Sequence, residues 1–437
     1  MSGAWPIVIV EAGFEPTTPG LATGDLLLDD PVYGLLDTGI LAGSTTWTDI
    51  TGFVQDGYID RTGTRQQGPL TNYQGGTATF TLNNSDGRFD PQNLAGPYVS
   101  AGVTQVRPMI PVRVSAAWAG TTYYLFGGFT TSWVPPPDHF GPVYDQTVLT
   151  CGDGFRIFNG VTLPVVAAEG ADELAGARIQ RILAAAGWYA VARGFSILDT
   201  GISEMQATTL GDTALNLMQV TADSEVGEIY MDGQGRVVFR QRDATLTETR
   251  SNTVQGVFGD APGTSHPAGT EVQCTSLTRP DDDTTMANDI QATRVGGALQ
   301  EVTDAASVSK FLFARTYQRS DLILTTDAET LNWAQYIGYL SAQDEFRFDQ
   351  ITITPPADPD DLWPQALGRD LGDRIEVWKR PPDVAAYSAD LFIRGIVHTW
   401  TPAMWQTVWT PQNAGRYSFL TLDDATLGVL DTNALAY

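Results

Sequence analysis

The chain has 437 residues, 42% of them hydrophobic, with 51 acidic residues against 25 basic and a formal net charge of −26 at pH 7. That length and apolar content belong to a soluble globular protein of about three domains. The charge excludes nucleic-acid binding by phosphate neutralisation and attachment to an anionic membrane, which both need clustered Lys and Arg.

Lys310 and Lys379 are the only lysines, so arginine carries the remaining positive charge. Two cysteines, Cys151 and Cys274, make neither a disulfide framework nor a zinc-ligand spacing. The opening residues MSGAWPIVIVEAGFEP lack a basic n-region and reach Glu11 too soon for a secretory signal. No run of 18 apolar residues is present to span a membrane.

Residues 1–45 read as an arm rich in Gly, Leu, Asp and Pro. Its segment Leu28-Asp29-Asp30-x3-Gly34-x-Leu36-Asp37-Thr38-x2-Leu41 has a twin, Leu422-Asp423-Asp424-x3-Gly428-x-Leu430-Asp431-Thr432-x2-Leu435, in a C-terminal arm at 416–437. The twins are expected to dock on equivalent surfaces through Asp29, Asp30, Asp37, Asp423, Asp424 and Asp431. Recurring Asp-Gly turn chemistry is the competing reading.

Residues 46–150 read as strands. Thr77 to Leu82 alternates polar and larger apolar residues, Asn83 to Gly87 supplies a turn, and Pro135-Pro136-Pro137 marks a rigid exit. Residues 151–325 read as α+β, with a helix over Ala171–Ala186 stopped by Gly187 and a second helix capped by Asp212. A hairpin pairs Glu228–Asp232 with Arg236–Arg240. Arg250–Asp283 reads as an irregular polar excursion, and Asn288–Arg294 as a strand.

Residues 326–415 begin with a helix over Ala328–Ser341 capped by Asp327, and then repeat the β pattern. Gly395-x4-Trp400-x-Pro402 after Leu391-Phe392 matches Gly128-x4-Trp133-x-Pro135 after Leu125-Phe126, and Ile375-Glu376-Val377 matches Val112-Arg113-Val114. Recurrence at equivalent places assigns Trp133 and Trp400, with Gly128 and Gly395, to a shared structural role rather than to sugar stacking.

No catalytic pattern accompanies these modules. His139, His266 and His398 are far apart in sequence, and no G-x-S-x-G, H-E-x-x-H or Walker A motif occurs. The carboxylates of Asn84–Asp90, or those around Asp29, Asp30 and Asp37, have oxygen ligands for Ca2+ without a full EF-hand pattern. Turns satisfying their own backbone are the favoured reading there. Neither a cofactor nor enzymatic activity is expected.

Asn84-Ser85-Asp86-Gly87-Arg88-Phe89-Asp90-Pro91, Arg107-Pro108-Met109, the Leu-Phe-x-Gly-x4-Trp close, and Ser224-Glu225-x-Gly227-x-Ile229-Tyr230-x-Asp232-x2-Gly235-x-Val237-x-Phe239-x-x-Arg242 together resemble the tail-hub, or baseplate-hub, minor tail proteins of siphophages infecting actinobacteria. The resemblance implies a mainly β chain with an α+β middle, in which two tail-tube-like β-barrels flank a mixed α/β insertion between Asp/Gly-rich arms. It implies a homotrimeric ring at the virion tail tip, made in the host cytoplasm, meeting the tail tube, distal tail proteins, the C-terminus of the tape-measure protein and other minor tail or spike proteins. DNA would pass through without specific binding, along walls whose acidity repels it. A hexameric distal-tail ring protein is the first alternative. A tail-associated glycan-binding protein or cell-wall hydrolase is the second, disfavoured because the chain stops at Tyr437, just past the second module.

Overall fold

A computed structural model describes residues 5–15, 46–64, 70–100, 102–134, 146–188, 195–278, 286–343 and 348–415. The six arm aspartates, His139 and Pro135–Pro137 lie outside the described residues.

The first β-module consists of β1 (Ile7–Glu15), β2 (Thr46–Asp49), β3 (Val54–Thr64), β4 (Thr77–Asn83), β5 (Pro111–Trp118), β6 (Thr121–Val134) and β7 (Gln146–Gly152). Alternation makes β4 a half-buried strand: Ala78, Phe80 and Leu82 are fully buried, while the threonines between them face outward. β1 lies within the segment read as an arm, yet it pairs with β5 from Ile7 opposite Ala117 to Ala12 opposite Val112. Its Val10, Ala12 and Phe14 enter the core on one face.

The middle carries α1 (Gly154–Gly160), α2 (Ala175–Ala185), β8 (Ser196–Leu198), α3 (Ala214–Glu225), β9 (Glu228–Met231) and β10 (Val237–Arg240). The expected hairpin forms between β9 and β10, with Glu228 opposite Arg240. Helix α2 starts four residues late, because Asp172 turns at φ +59 and Glu173 joins a short strand. The cap of α3 is Thr213 rather than Asp212: the Thr213 hydroxyl accepts the Asn216 N–H, while Asp212 accepts from Thr213 N and the Asn216 side chain.

Over its described residues, 250–278, the stretch read as an irregular excursion is not irregular. It contributes β11 (Val254–Gly259), β12 (Gly269–Gln273) and β13 (Ser276–Thr278), which extend the main sheet. Then β14 (Asp289–Arg294), β15 (Gln300–Thr303) and β16 (Thr316–Leu322) form a small sheet against which α4 (Asp327–Ser341) packs. The cap of α4 is Thr326, in a capping box with Glu329; Asp327 is the first helical residue and pairs with Arg294.

The second β-module contains β17 (Gln350–Ile353), an unexpected helix α5 (Pro359–Gly368), β18 (Arg374–Lys379), β19 (Tyr387–Thr401) and β20 (Met404–Asn413). The chain is mainly β, but among the described residues the expected closed barrels do not form. Both modules join one 16-stranded sheet, in the order β12-β11-β18-β19-β3-β4-β7-β6-β5-β1-β2 after a short strand at Ser265–His266. The cause lies in β19. Its first half pairs with β18, its second half pairs with β3 from Gly395 opposite Thr62 to Trp400 opposite Gly57, and its other edge pairs with β20. The edge of β3 that the first module would need for closure is thus occupied by β19 of the second, and the edge of β18 is taken by β11 of the middle.

Candidate functional site

Three phrases of the first module, the Asn84–Pro91 turn, Arg107-Pro108-Met109 and the Gly-x4-Trp close, come together around Trp133. In the Asn84–Pro91 turn, Asn84 Oδ1 accepts the Phe89 N–H at 2.8 Å and the Asn84 carbonyl accepts Gly87 N–H at 2.9 Å. These bonds turn Phe89 inward, where its ring stacks on Trp133 at 5.8 Å and 11°. Asp90 Oδ1 accepts Gln92 N–H, and Asp86 pairs with Arg88, whose guanidinium lies 4.0 Å above the Phe53 ring. The turn's oxygens serve its own backbone and neighbours, as in an Asx motif. The Arg107 carbonyl then accepts both Trp133 Nε1–H at 3.0 Å and Thr130 Oγ1–H at 2.8 Å. The Asn84 turn, the Arg107 loop and the closing Trp of β6 are therefore one packed unit.

Trp400 sits on β19 as Trp133 sits on β6, yet both rings belong to the same hydrophobic core. Trp400 stacks on Trp405 at 5.0 Å and 14°, and Trp405 meets Trp363 edge-on at 5.2 Å. Gly128 and Gly395 are places of close strand approach. A Cβ at 128 would lie 2.5 Å from the Gly152 carbonyl oxygen, and one at 395 would lie 2.7 Å from Thr62 Cγ2. The repeat is one of pattern and not of register: Val112 faces Gly128, whereas Ile375 faces Leu391. Trp363 was not legible, because Pro364 interrupts the run PDDLWPQALG. The available signal was Pro359 at the first turn, followed by Asp360 and Asp361.

The middle phrase also resolves into geometry. Both Glu225 carboxylate oxygens, fully buried, accept backbone N–H groups, from Ile202 at 3.0 Å and Ser203 at 2.7 Å. Ser224 Oγ accepts Ile323 N–H at 3.1 Å. Asp232 Oδ1 accepts Gln234 and Arg236 N–H groups at 2.9 Å, shaping the β9–β10 turn. That turn presses its backbone onto β6, so that a Cβ at Gly127 would sit 2.6 Å from the Gln234 carbonyl.

Ion pairs, each with one buried partner, tie the middle to the second module and the two modules to each other. Arg394 pairs with Glu228 at 2.6 Å, Arg61 with Asp370 at 3.0 Å, and Arg250 with Asp373 at 2.5 Å. Burial pushes the Asp153 carboxyl up to about 7, outweighing the N–H groups it accepts from Gly76 and Phe155. Burial likewise raises Asp223 to about 6 despite Arg319 at 2.7 Å. His398 is pushed down to about 3 by burial, with Arg61 adding to it. Its Nδ1 lies 3.0 Å from Thr407 Oγ1 in the fully enclosed core, which offers a substrate no access. His266 stacks on Trp378 and contacts Glu271 at 2.9 Å. Among the described residues no group of three or more His, Cys, Asp or Glu is placed to hold a metal, and no helix is long and apolar enough to cross a membrane.

Neither a protein-family model nor a curated protein sequence matches the chain. Solved structures do resemble it in fold. A tail protein from Neisseria meningitidis MC58 is 11% identical with a TM-score of 0.55, over 85% of this chain and 95% of that one. The 43 kDa tail protein of prophage MuSo2 from Shewanella oneidensis is 12% identical with a TM-score of 0.51, over 85% of this chain and 97% of that one. The chain therefore shares, over most of its length, the fold of two solved tail proteins.

Proposed function

We propose that this chain is a non-enzymatic structural protein of a phage tail, acting as the hub at the tail tip. The observation that carries the reading is the fold shared with two tail proteins over 85% of the chain. The repeated Gly-x4-Trp strand, built twice into one sheet, supports the finer part. Three chains would present six related strands, which suits a threefold tip meeting a sixfold tube, and closed rings need complementary interfaces. The hub would close the distal tube, seat the end of the tape-measure protein, join tip and receptor-binding proteins, and let DNA through. The terminal arms, with Asp29, Asp30, Asp37, Asp423, Asp424 and Asp431, would dock on neighbouring subunits. The protein would be made in the host cytoplasm and end in the virion tail.

Light scattering on the purified chain, alone and with the tube protein, tests this reading. A trimer in either condition supports the hub. A hexamer moves the assignment to a distal-tail ring, and a monomer that stays monomeric beside the tube protein counts against both.

A further inference from the structure

A groove of about 850 Å3 runs between the outer face of the first module's sheet and helices α1 and α3. Its floor exists because β4 and β7 alternate, which leaves Thr79 and Thr150 on the side away from the core, while β6 adds Thr131 at a break in its register with β7. The floor hydroxyls form a ladder, with Thr131 Oγ1 2.7 Å from Thr150 Oγ1 and Ser132 Oγ 2.6 Å from the same atom. Amides line the opposite wall: Asn159 from α1, and Asn216 and Gln219 from α3. Thr79, Gln74 and Asn159 make no side-chain hydrogen bond among the described residues, so their donors and acceptors face the groove.

The lining selects a class of ligand. Tyr73 and Phe155 are buried, and the other apolar side chains on the wall, Leu215 and Val220, are half-buried, so polar groups make up more of the exposed lining. Asp223 and Arg319 neutralise each other and the Gly76 N–H is already held by Asp153, which leaves Arg156, exposed on α1, as the cation of the lining. Beside it stand hydroxyls and amides that both donate and accept, as sugar hydroxyls do, except that the Asn216 and Gln219 NH2 groups already donate to Asp212 and to the Tyr73 carbonyl. The volume falls in the range of small-molecule sites, roughly 300–1,000 Å3.

We propose that this groove binds an oligosaccharide, held by hydrogen bonds to the threonine floor and the asparagine–glutamine wall without aromatic stacking. Four net hydrogen bonds of ordinary strength correspond to a Kd of roughly 1 mM. The inference does not depend on assembly into a tail: the groove lies within one chain, and loss of binding would leave the oligomer measurement untouched.

The test is calorimetric titration of the full chain with maltotetraose and with chitotetraose, up to about 20 mM. One of the two is expected to bind, about fivefold more weakly in Asn159→Ala or Thr79→Val, and about 25-fold more weakly in the double variant. Tyr124→Ala, outside the groove, is expected to bind as the wild type does. These are exposed or half-buried side chains, and a far-UV CD spectrum checks that each variant is folded. Absence of binding by both sugars overturns the proposal. So does binding that the folded double variant retains unchanged.

Discussion

Gly57→Ala tests whether the two modules share one core. Gly57 lies opposite Trp400 in the β3–β19 ladder. A methyl there would sit 2.2 Å from Trp400 Cζ2 and 2.5 Å from Cε2, closer than any real carbon contact. The ring cannot easily swing aside, since it is 7% exposed and backed by Trp405 and Trp363. Overpacking of this kind costs about 1–3 kcal/mol. Trp400→Ala alone should cost about 3–5 kcal/mol through lost burial and the cavity left behind. In the double variant the new methyl occupies vacated space, so its penalty should vanish and the two changes should couple by about 1–3 kcal/mol. Urea unfolding of the four proteins, followed by far-UV CD, measures the cycle. If Gly57→Ala costs the same in both backgrounds, or nothing in the wild type, Trp400 does not pack on β3 and the shared core is wrong.

Stability near neutral pH should carry two opposed slopes. Asp153, raised to about 7, binds more protons folded than unfolded; its contribution is complete below about 4 and lost as pH rises to 7. His398, lowered to about 3, contributes fully above about 6.5 and loses that as pH falls. Asp153→Asn should therefore make the change in stability from pH 4 to 7 more positive, and His398→Gln should make it more negative, in urea midpoints taken across that range; unmoved slopes would refute the assignment. Glu225→Ala strands the Ile202 and Ser203 N–H groups and should cost about 1–3 kcal/mol for each one left unsatisfied, with faster hydrogen exchange at those two amides. Gly127→Ala should lift the β9–β10 turn off β6 and lower exchange protection at Gly235 while sparing the β14–β16 sheet; equal loss in both places would show global unfolding instead. Replacing Asp29, Asp30, Asp423 and Asp424 with Ala should leave the thermal midpoint unchanged but reduce incorporation into tails, and unchanged incorporation would remove the docking-arm proposal.

Local pattern made part of the fold legible. The alternation of Thr77–Leu82 and the Gly-containing turn between Ile229–Met231 and Val237–Phe239 both yielded the strands expected, because each signal is contained in a few neighbouring residues. What a local reading misses is pairing between distant residues. Val254–Gly259 pairs in parallel with Arg374–Val377, so nothing nearby announces it. The Gly-x4-Trp repeat marked two related strands, but not that the second would lean on β3. Caps went to Thr213 and Thr326 instead of the neighbouring aspartates, since the choice depends on the backbone at one residue. Around Trp133, the sequence named the right phrases. Their joining through the Arg107 carbonyl needed three dimensions, and so did the burial of Glu225, whose charge alone argues for the surface.

The β3–β19 ladder also sets a timetable for synthesis. Strand β3 emerges from the ribosome early, but its partner Gly395–Trp400 follows roughly 340 residues later, a wait of about 17–70 s at bacterial elongation rates. Throughout that interval one edge of the first module is open to wrong partners. Asp56 and Asp60, both on β3, place negative charge along that waiting edge and disfavour pairing with another nascent copy. Part of the chain's acidity would thus act before the molecule is complete, keeping a half-made sheet unpaired until its partner strand arrives.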